Sequence, residues 1–474
     1  MAQHQGVPRP HTRKKPVRNH AKAELSGPQY VTLRVAEPAH GGACVARDTD
    51  GRVIFVRHAL PGEYVRAVIT RTRSRLAWAD TVEVIEASPD RVSSVWPEAS
   101  RGGVGGGELA HVRVPAQRQW KEQVIRGQIR RIAGIALAEA VEAVGGYTVY
   151  AAPGDWGEDD PLLGRRTRIE LVADSSGALG MTEHRGRAVY PLSNMPLAVE
   201  AISDLGLFAS PAKRWAGAWQ PGDRIRVVAS TGGDIAVVTP RGVYDCEGNK
   251  AHFSSLRWNV HLRSPEVLRG SGFSAGMSQP VAFSDDIPHV LNYRVRPEGF
   301  WQTHREGADV LASAVCQGAA LNGGESVLEL YSGAGLFSYA LASCERPPAR
   351  ILSVEGDEYA VADAERNCAP TGRVQTWVGS VDVFAVQELC GKLPQKRPDV
   401  IVLDPPRAGA GRDICHAIGA SGAHRVVLVS CDPAAGARDM AALAECGYSV
   451  TSFGAWDLFP HTHHVETVCV MKKA

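Results

Sequence analysis

Cys431, in Ser430-Cys431-Asp432-Pro433, and Glu466, closing Phe459-Pro-His-Thr-His-His-Val-Glu466, are the side chains best suited to covalent chemistry. A thiolate can add to an electron-poor double bond and later leave, while a carboxylate takes a proton from the neighbouring carbon. Methylation of a poor carbon nucleophile such as C5 of uracil demands that pair. Sulfur adds at C6, C5 becomes enolate-like and attacks an electrophilic methyl, and a base then removes the C5 proton so that sulfur departs. Taken singly, a cysteine at a strand end is more commonly a small buried apolar residue. Tyr331-Ser332-Gly333-Ala334-Gly335, Glu355 and Asp404-Pro405-Pro406-Arg407 lie upstream as candidate cofactor contacts.

The elements that carry these residues share one logic. SVLELYSGAGLFSYALA reads as a buried apolar strand, a glycine turn and a helix. ILSVEGD, DVIVLDPPRAG and RVVLVSCDP are further apolar strands, with helical segments between. Such alternation predicts a doubly wound parallel sheet, whose ligands sit beyond the carboxyl ends of the strands. Tyr331, Gly333, Glu355, Asp404 and Cys431 all fall at those ends. An acid about twenty residues after a glycine turn is placed to accept hydrogen bonds from ribose hydroxyls. NAD would suit that geometry too, but Ser338 stands where the third glycine of G-x-G-x-x-G belongs and no second nucleotide half follows. Adenosylmethionine has no pyrophosphate to be approached closely, and fits better.

The rest of the chain sets the context. At 474 residues it is long enough for roughly two to four domains, and 44% hydrophobic with 22% charged residues is ordinary for globular protein. Net charge is only +1, so bulk charge announces no nucleic-acid partner. The N-terminus shows no secretory pattern and no stretch is apolar enough for a membrane span, so a cytoplasmic protein is expected. Ten cysteines without a C-x-x-C pair argue for reduced thiols rather than disulfides or a thiolate metal site. Residues 1–27 read as a basic, solvated tail. Residues 28–89 read as about five short strands with Gly41-Gly42, Asp50-Gly51 and Pro61-Gly62 reversals, the pattern of a small OB-like barrel. Arg71-Thr-Arg73-Ser-Arg75 followed by Trp78 sets cations beside an aromatic, suited to phosphate contact and base stacking or simply to a charged hairpin edge. A helix over about 111–134 carries Arg118, Lys121, Arg126, Arg130 and Arg131 on a polar face. Residues 90–296 are read as a central α+β domain for RNA binding, with the helix over about 111–134 available to pack on the catalytic domain, and 297–474 as the S-adenosylmethionine-dependent catalytic domain.

Two stretches carry a family resemblance. GGACVARDTDGRVIFVRHALPGE is similar to the TRAM domain that precedes the catalytic region of bacterial RNA 5-methyluridine methyltransferases. From Gly299 onward, Phe300-Trp301-Gln302 resembles their F-x-Q segment and LELYSGAG their first cofactor motif. Asp404-Pro-Pro-Arg-Ala-Gly409 resembles D-P-P-R-x-G, SCDPAAGARDM resembles S-C-N-P-x-T-x-x-R-D, and Phe459 to Glu466 the motif that holds the base. The resemblance implies a class I methyltransferase with S-adenosylmethionine contacts from Gln302, Tyr331, Gly333, Glu355 and Asp404. It further implies Cys431 as nucleophile, Glu466 as base, and a uridine of ribosomal or transfer RNA as target. Related 5-methylcytosine RNA enzymes carry a second cysteine at D-P-P, which is missing here.

Departures from the family pattern are equally specific. Its iron–sulfur cysteines would fall at Trp96, Val104, Gly107 and Met195, so no cluster is expected and no other metal is implied. Leu336 and Ser380 stand where relatives present polar cofactor contacts, and Asp432 replaces the usual Asn beside the nucleophile. A carboxylate there would raise the thiol pKa, or would contact the target uracil. The competing functions are methylation of another substrate such as cytosine C5, and RNA binding without catalysis. No membrane partner is implied; the oligomeric state is not encoded visibly, and a monomer is the working expectation.

Overall fold

The computed structural model describes residues 27–473 apart from 158–159, 185, 209–210 and 265–289. The basic tail, through residue 26, lies outside them.

Alternating apolar residues close the first element into a barrel. Strands Tyr30–Ala39, Ala43–Arg47, Val53–Arg57, Tyr64–Arg73 and Leu76–Glu86 turn Leu33, Val35, Ile54, Val56, Val65, Ala67 and Ala79 inward, and each is buried. Gly41 and Gly42 make the first reversal, with φ of +92° and +79°. Outside the barrel, Arg71 lies 4.4 Å from the Trp78 ring centroid and Phe55 stacks on the same ring at 5.9 Å.

A six-stranded antiparallel sheet, including Arg168–Ala173 and Arg224–Ala229, forms the middle of the chain. Its core contains Trp96, Val104 and Met195, three of the positions where cluster cysteines would stand. The fourth, Gly107, lies against the indole: a Cβ there would come 2.9 Å from Trp96 and 2.6 Å from Ala99. Apolar packing fills this place.

The C-terminal sheet has eight strands, ordered Val374–Val378, Arg350–Glu355, Ser326–Leu330, Val400–Leu403, Arg425–Ser430, Glu466–Lys473, Tyr448–Asp457 and Val149–Ala151. The first five are parallel and Glu466–Lys473 is antiparallel to its neighbours. Ser326–Leu330 and Val400–Leu403 are buried at every residue, as strands covered on both faces must be. Val149–Ala151 joins the edge from within the expected central segment, and helix Val114–Ile132 packs against helix Pro433–Glu445. Part of the 90–296 stretch is therefore built onto the catalytic sheet. Lys121, expected on the solvated face of that helix, is fully buried, whereas Arg126, Arg130 and Arg131 are exposed. Among the described residues no helix is long and apolar enough to cross a membrane.

Candidate active site

At the carboxyl ends of the parallel strands lies a cavity of about 620 Å3. Gln302, Tyr331, Gly333, Glu355, Asp404, Cys431 and Glu466 all line it. Every candidate residue read from the sequence is thus brought to one place.

The glycine turn is held by backbone geometry. Tyr331 leaves its strand at φ +64°, a left-handed conformation that costs a non-glycine residue about 1–3 kcal/mol and tends to cluster at functional sites. Its N–H is satisfied by the Val354 carbonyl at 3.0 Å. Gly333 donates its N–H to Glu355 Oε2 at 3.0 Å, and Asp357 donates to Oε1 at 3.0 Å. The Glu355 carboxylate is therefore fixed at the cavity wall, with lone pairs left for a further donor. Gly335, at φ +82°, passes so close to the next helix that a Cβ would meet Ala364 at 3.1 Å.

Gln302 is positioned from the central sheet. The Thr167 N–H donates to the Thr303 carbonyl at 2.8 Å, and Arg168 Nη1 donates to the Gly299 carbonyl at 2.8 Å. Beside it, His304 Nδ1 accepts the Glu306 N–H, which leaves Nε2 to donate to buried Asp155 at 2.8 Å. Burial alone would raise the Asp155 carboxyl, but the bond from His304 and the nearby Arg165 hold it below the ordinary range.

Glu466 follows a loop anchored by helix Val114–Ile132. Lys121 Nζ donates to Asp457 and, at 3.0 Å, to the Phe459 carbonyl. Gln117 accepts the His461 N–H at 2.7 Å, and its Nε2 lies 3.1 Å from His461 Nδ1. His461 Nε2 meets the Pro161 carbonyl at 2.7 Å, so Nε2 carries the proton and Nδ1 accepts from Gln117. The Asp404 loop is fixed by Asp439, on the helix after Cys431, which accepts the N–H groups of Ala410 at 2.8 Å and Gly411 at 3.0 Å. Gly409 is required there: a Cβ would sit 2.7 Å from Asp439 Oδ2, and φ is +87°.

The candidate reactive groups sit among one another's charges in this cavity. Burial raises the Asp404 carboxyl to about 7, and burial with the adjacent Asp404 raises Glu466 well above the carboxylate range. Burial, then Glu466 and Asp404, lifts the Cys431 thiol to about 12. Arg407 opposes the shift of both Cys431 and Glu466.

The departing positions resolve differently. Leu336 lines the cavity, whereas Ser380 is exposed and does not. Asp432 caps helix Pro433–Glu445, accepting from Ala434 and Ala435 N–H at 3.0 and 2.8 Å, and its other oxygen meets His40 Nε2 at 3.1 Å. Both oxygens are engaged within the protein, not directed at the cavity.

Sequence reasoning passed over other wall residues. Phe459 and His464 line the cavity, with ring centroids 5.8 Å apart. Burial and the neighbouring His463 press the His464 imidazole down to about 3, so it is neutral at physiological pH. Phe300, also in the wall, is 66% exposed and lies under Arg168 at 5.6 Å. Its place in the F-x-Q segment, two residues before Gln302, is the signal that could have marked it.

A doubly wound sheet with one antiparallel strand, Glu466–Lys473, a cavity at its strand ends and an N-terminal OB-type barrel define a class I methyltransferase with an appended barrel. The family model described as tRNA (Uracil-5-)-methyltransferase matches residues 288–474, and that of the TRAM domain residues 29–82. A Streptomyces avermitilis protein named as an uncharacterized RNA methyltransferase is 36% identical, covering 94% of this chain and 99% of that one. The 23S rRNA (uracil(1939)-C(5))-methyltransferase RlmD of Chromohalobacter salexigens is 30% identical, over 93% of this chain and 89% of its own. The crystal structure of Pyrococcus abyssi tRNA (uracil-54, C5)-methyltransferase with S-adenosyl-L-homocysteine superposes with a TM-score of 0.61, at 20% identity, over 93% of this chain and all of that one. The chain belongs to the RNA (uracil-C5) methyltransferase family.

Proposed function

We propose that this protein methylates C5 of a uridine in ribosomal or transfer RNA, with S-adenosylmethionine as methyl donor, through a Cys431–C6 adduct and proton removal by Glu466. One observation carries the reading: the cofactor-type turn, the buried acid and the thiol line the same cavity.

The residues fit an adenosyl ligand. A cavity of about 620 Å3 lies within the size range of small-molecule sites, roughly 300–1,000 Å3. Val295, Leu336 and Phe337 give it apolar walls for a base, and the anchored Glu355 offers acceptors for ribose hydroxyls. When bound, the donor supplies a methyl group on positively charged sulfur. The chain's residues do the rest. Cys431, as a thiolate whose proton has passed to solvent, forms a bond to C6 and pushes the C5–C6 electron pair toward C5; C5 takes the methyl, whose former bonding pair stays on the donor sulfur. Glu466, ionised, accepts the C5 proton; the electrons of that C–H bond restore the double bond as the C6–sulfur bond breaks. Arg407 favours the ionised form of both groups. RNA would be gripped by Arg71, Arg73 and Trp78 on the barrel and by exposed Arg126, Arg130 and Arg131.

The test is incubation with 5-fluorouridine-containing RNA and S-adenosylmethionine. Fluorine cannot leave as a cation, so a covalent protein–RNA complex accumulates, and Cys431→Ala abolishes it. Absence of the complex with wild-type protein would overturn the reading.

A further inference from the structure

The barrel reaches the catalytic domain at the residue next to the candidate nucleophile. Its first turn places His40 Nε2 3.1 Å from Asp432 Oδ2, with Asp432 22% exposed and His40 38%. The other Asp432 oxygen accepts the first two free N–H groups of the helix that begins just after Cys431. A second contact lies alongside. His463 Nδ1 is 3.4 Å from Glu108 Oε2, and its ring is 6.2 Å from that of His40. Gly42 fits over this pair so closely that a Cβ would come 2.9 Å from Glu108 Cβ and 3.5 Å from His463 Cβ. The turn is therefore seated on the catalytic domain.

We propose that His40 is a positioning residue for the reaction at Cys431: its contact with Asp432 couples seating of the barrel to the charge and geometry beside the nucleophile. The inference rests on the reading of Cys431 as nucleophile. The physical need is specific to this chain. An Asn at 432 would cap the helix equally well without charge. An Asp caps it too, but places an anion beside a thiol already facing Glu466 and Asp404, with Arg407 as opposing cation. Burial would raise the Asp432 carboxyl, yet donation from His40 and from the Ala435 N–H holds it down at about 2, so it stays anionic. His40 is the side chain that meets this anion from outside its own helix. It acts through Asp432 and does not touch the cavity.

A double-mutant cycle on the full-length protein tests this by mass-spectrometric measurement of iodoacetamide alkylation at Cys431 across a range of pH. His40→Ala is expected to move the alkylation profile toward higher pH and to slow the reaction at about pH 8 by about three- to tenfold, tenfold corresponding to one pKa unit. Asp432→Asn, which keeps the cap, is expected to speed alkylation. Adding His40→Ala to Asp432→Asn is expected to change the rate less than about twofold, since the group it answers is gone. Equal slowing in both backgrounds, or none in either, would overturn the proposal. Should His40→Ala fail to fold, His40→Phe keeps a ring against His463 without a donor, and the same comparison decides. Alkylation needs no RNA. If wild-type protein formed no adduct with 5-fluorouridine RNA, the proposed function would fail while the cycle still gave its own answer.

Discussion

Lys121 and Asp457 form an ion pair in which neither side chain has any solvent exposure, and the same ammonium holds the Phe459 carbonyl at the start of the loop leading to Glu466. A charge pair this deep is bound less by its own attraction than by the penalty of separating it. Burial depresses the lysine, and Asp457 counters that shift. Lys121→Met is expected to cost about 3–5 kcal/mol in denaturant unfolding, because Asp457 is left uncompensated. Adding Asp457→Asn should recover much of the loss. A double variant no more stable than the single one would show that the pair is not coupled.

On the proposed mechanism Glu466 is needed only after the methyl has arrived. Glu466→Gln is therefore expected to form the covalent complex with unmodified RNA and to stall there, visible as a gel-shifted species that survives denaturant. Turnover at the wild-type rate would remove Glu466 from the mechanism.

On the proposed mechanism Cys431 and Glu466 both act ionised, and both are shifted upward. Cys431 stands at about 12 through burial and its acidic neighbours, and Glu466 well above its ordinary value. Ionised forms are therefore scarce at neutral pH and grow with each pH unit, so adduct formation should rise from about pH 6 to about pH 9. Arg407→Met removes the cation opposing both shifts. The adduct rate should fall by about tenfold, and by nearly the same factor across that range, because the thiol stays below its pKa throughout. A flat profile would mean that the thiol ionises much more readily than its surroundings imply.

Trp96 is fully buried where a cluster cysteine would stand, packed against Gly107. Trp96→Ala is expected to destabilise the fold by about 3–5 kcal/mol, the range for emptying a large aromatic site. Gly107→Ala should also destabilise, since its Cβ would fall 2.6 Å from that of Ala99. Calorimetric unfolding of both variants checks this.

The site was legible in the sequence because parallel strands announce themselves. VIVL and VVLV are apolar throughout, and the residues that follow each, Asp404 directly and Cys431 after Ser430, necessarily sit at the ligand end. The barrel was readable from its glycine turns for a similar local reason. What was not legible depends on partners distant in sequence. Lys121 and Asp457 are 336 positions apart, and nothing near Lys121 distinguishes it from the solvated arginines on its helix. His40 sits in a turn whose sequence speaks only of reversal. Val149–Ala151 is three residues long, too short to show a period, and becomes a strand only because the edge of Tyr448–Asp457 is there to pair with.

Glu466 is only 5% exposed and Cys431 is recessed beside it. A uracil held within a double helix cannot bring C5 and C6 to such a depth, because its neighbours above and below move with it. The target nucleotide has to swing out of its stack, at a cost of a few kcal/mol, and this is smallest where the nucleotide is already unpaired. The depth of the site thus selects by secondary structure before any base is read. Uridines in loops, bulges and junctions are thereby favoured over the same nucleotide in a continuous stem.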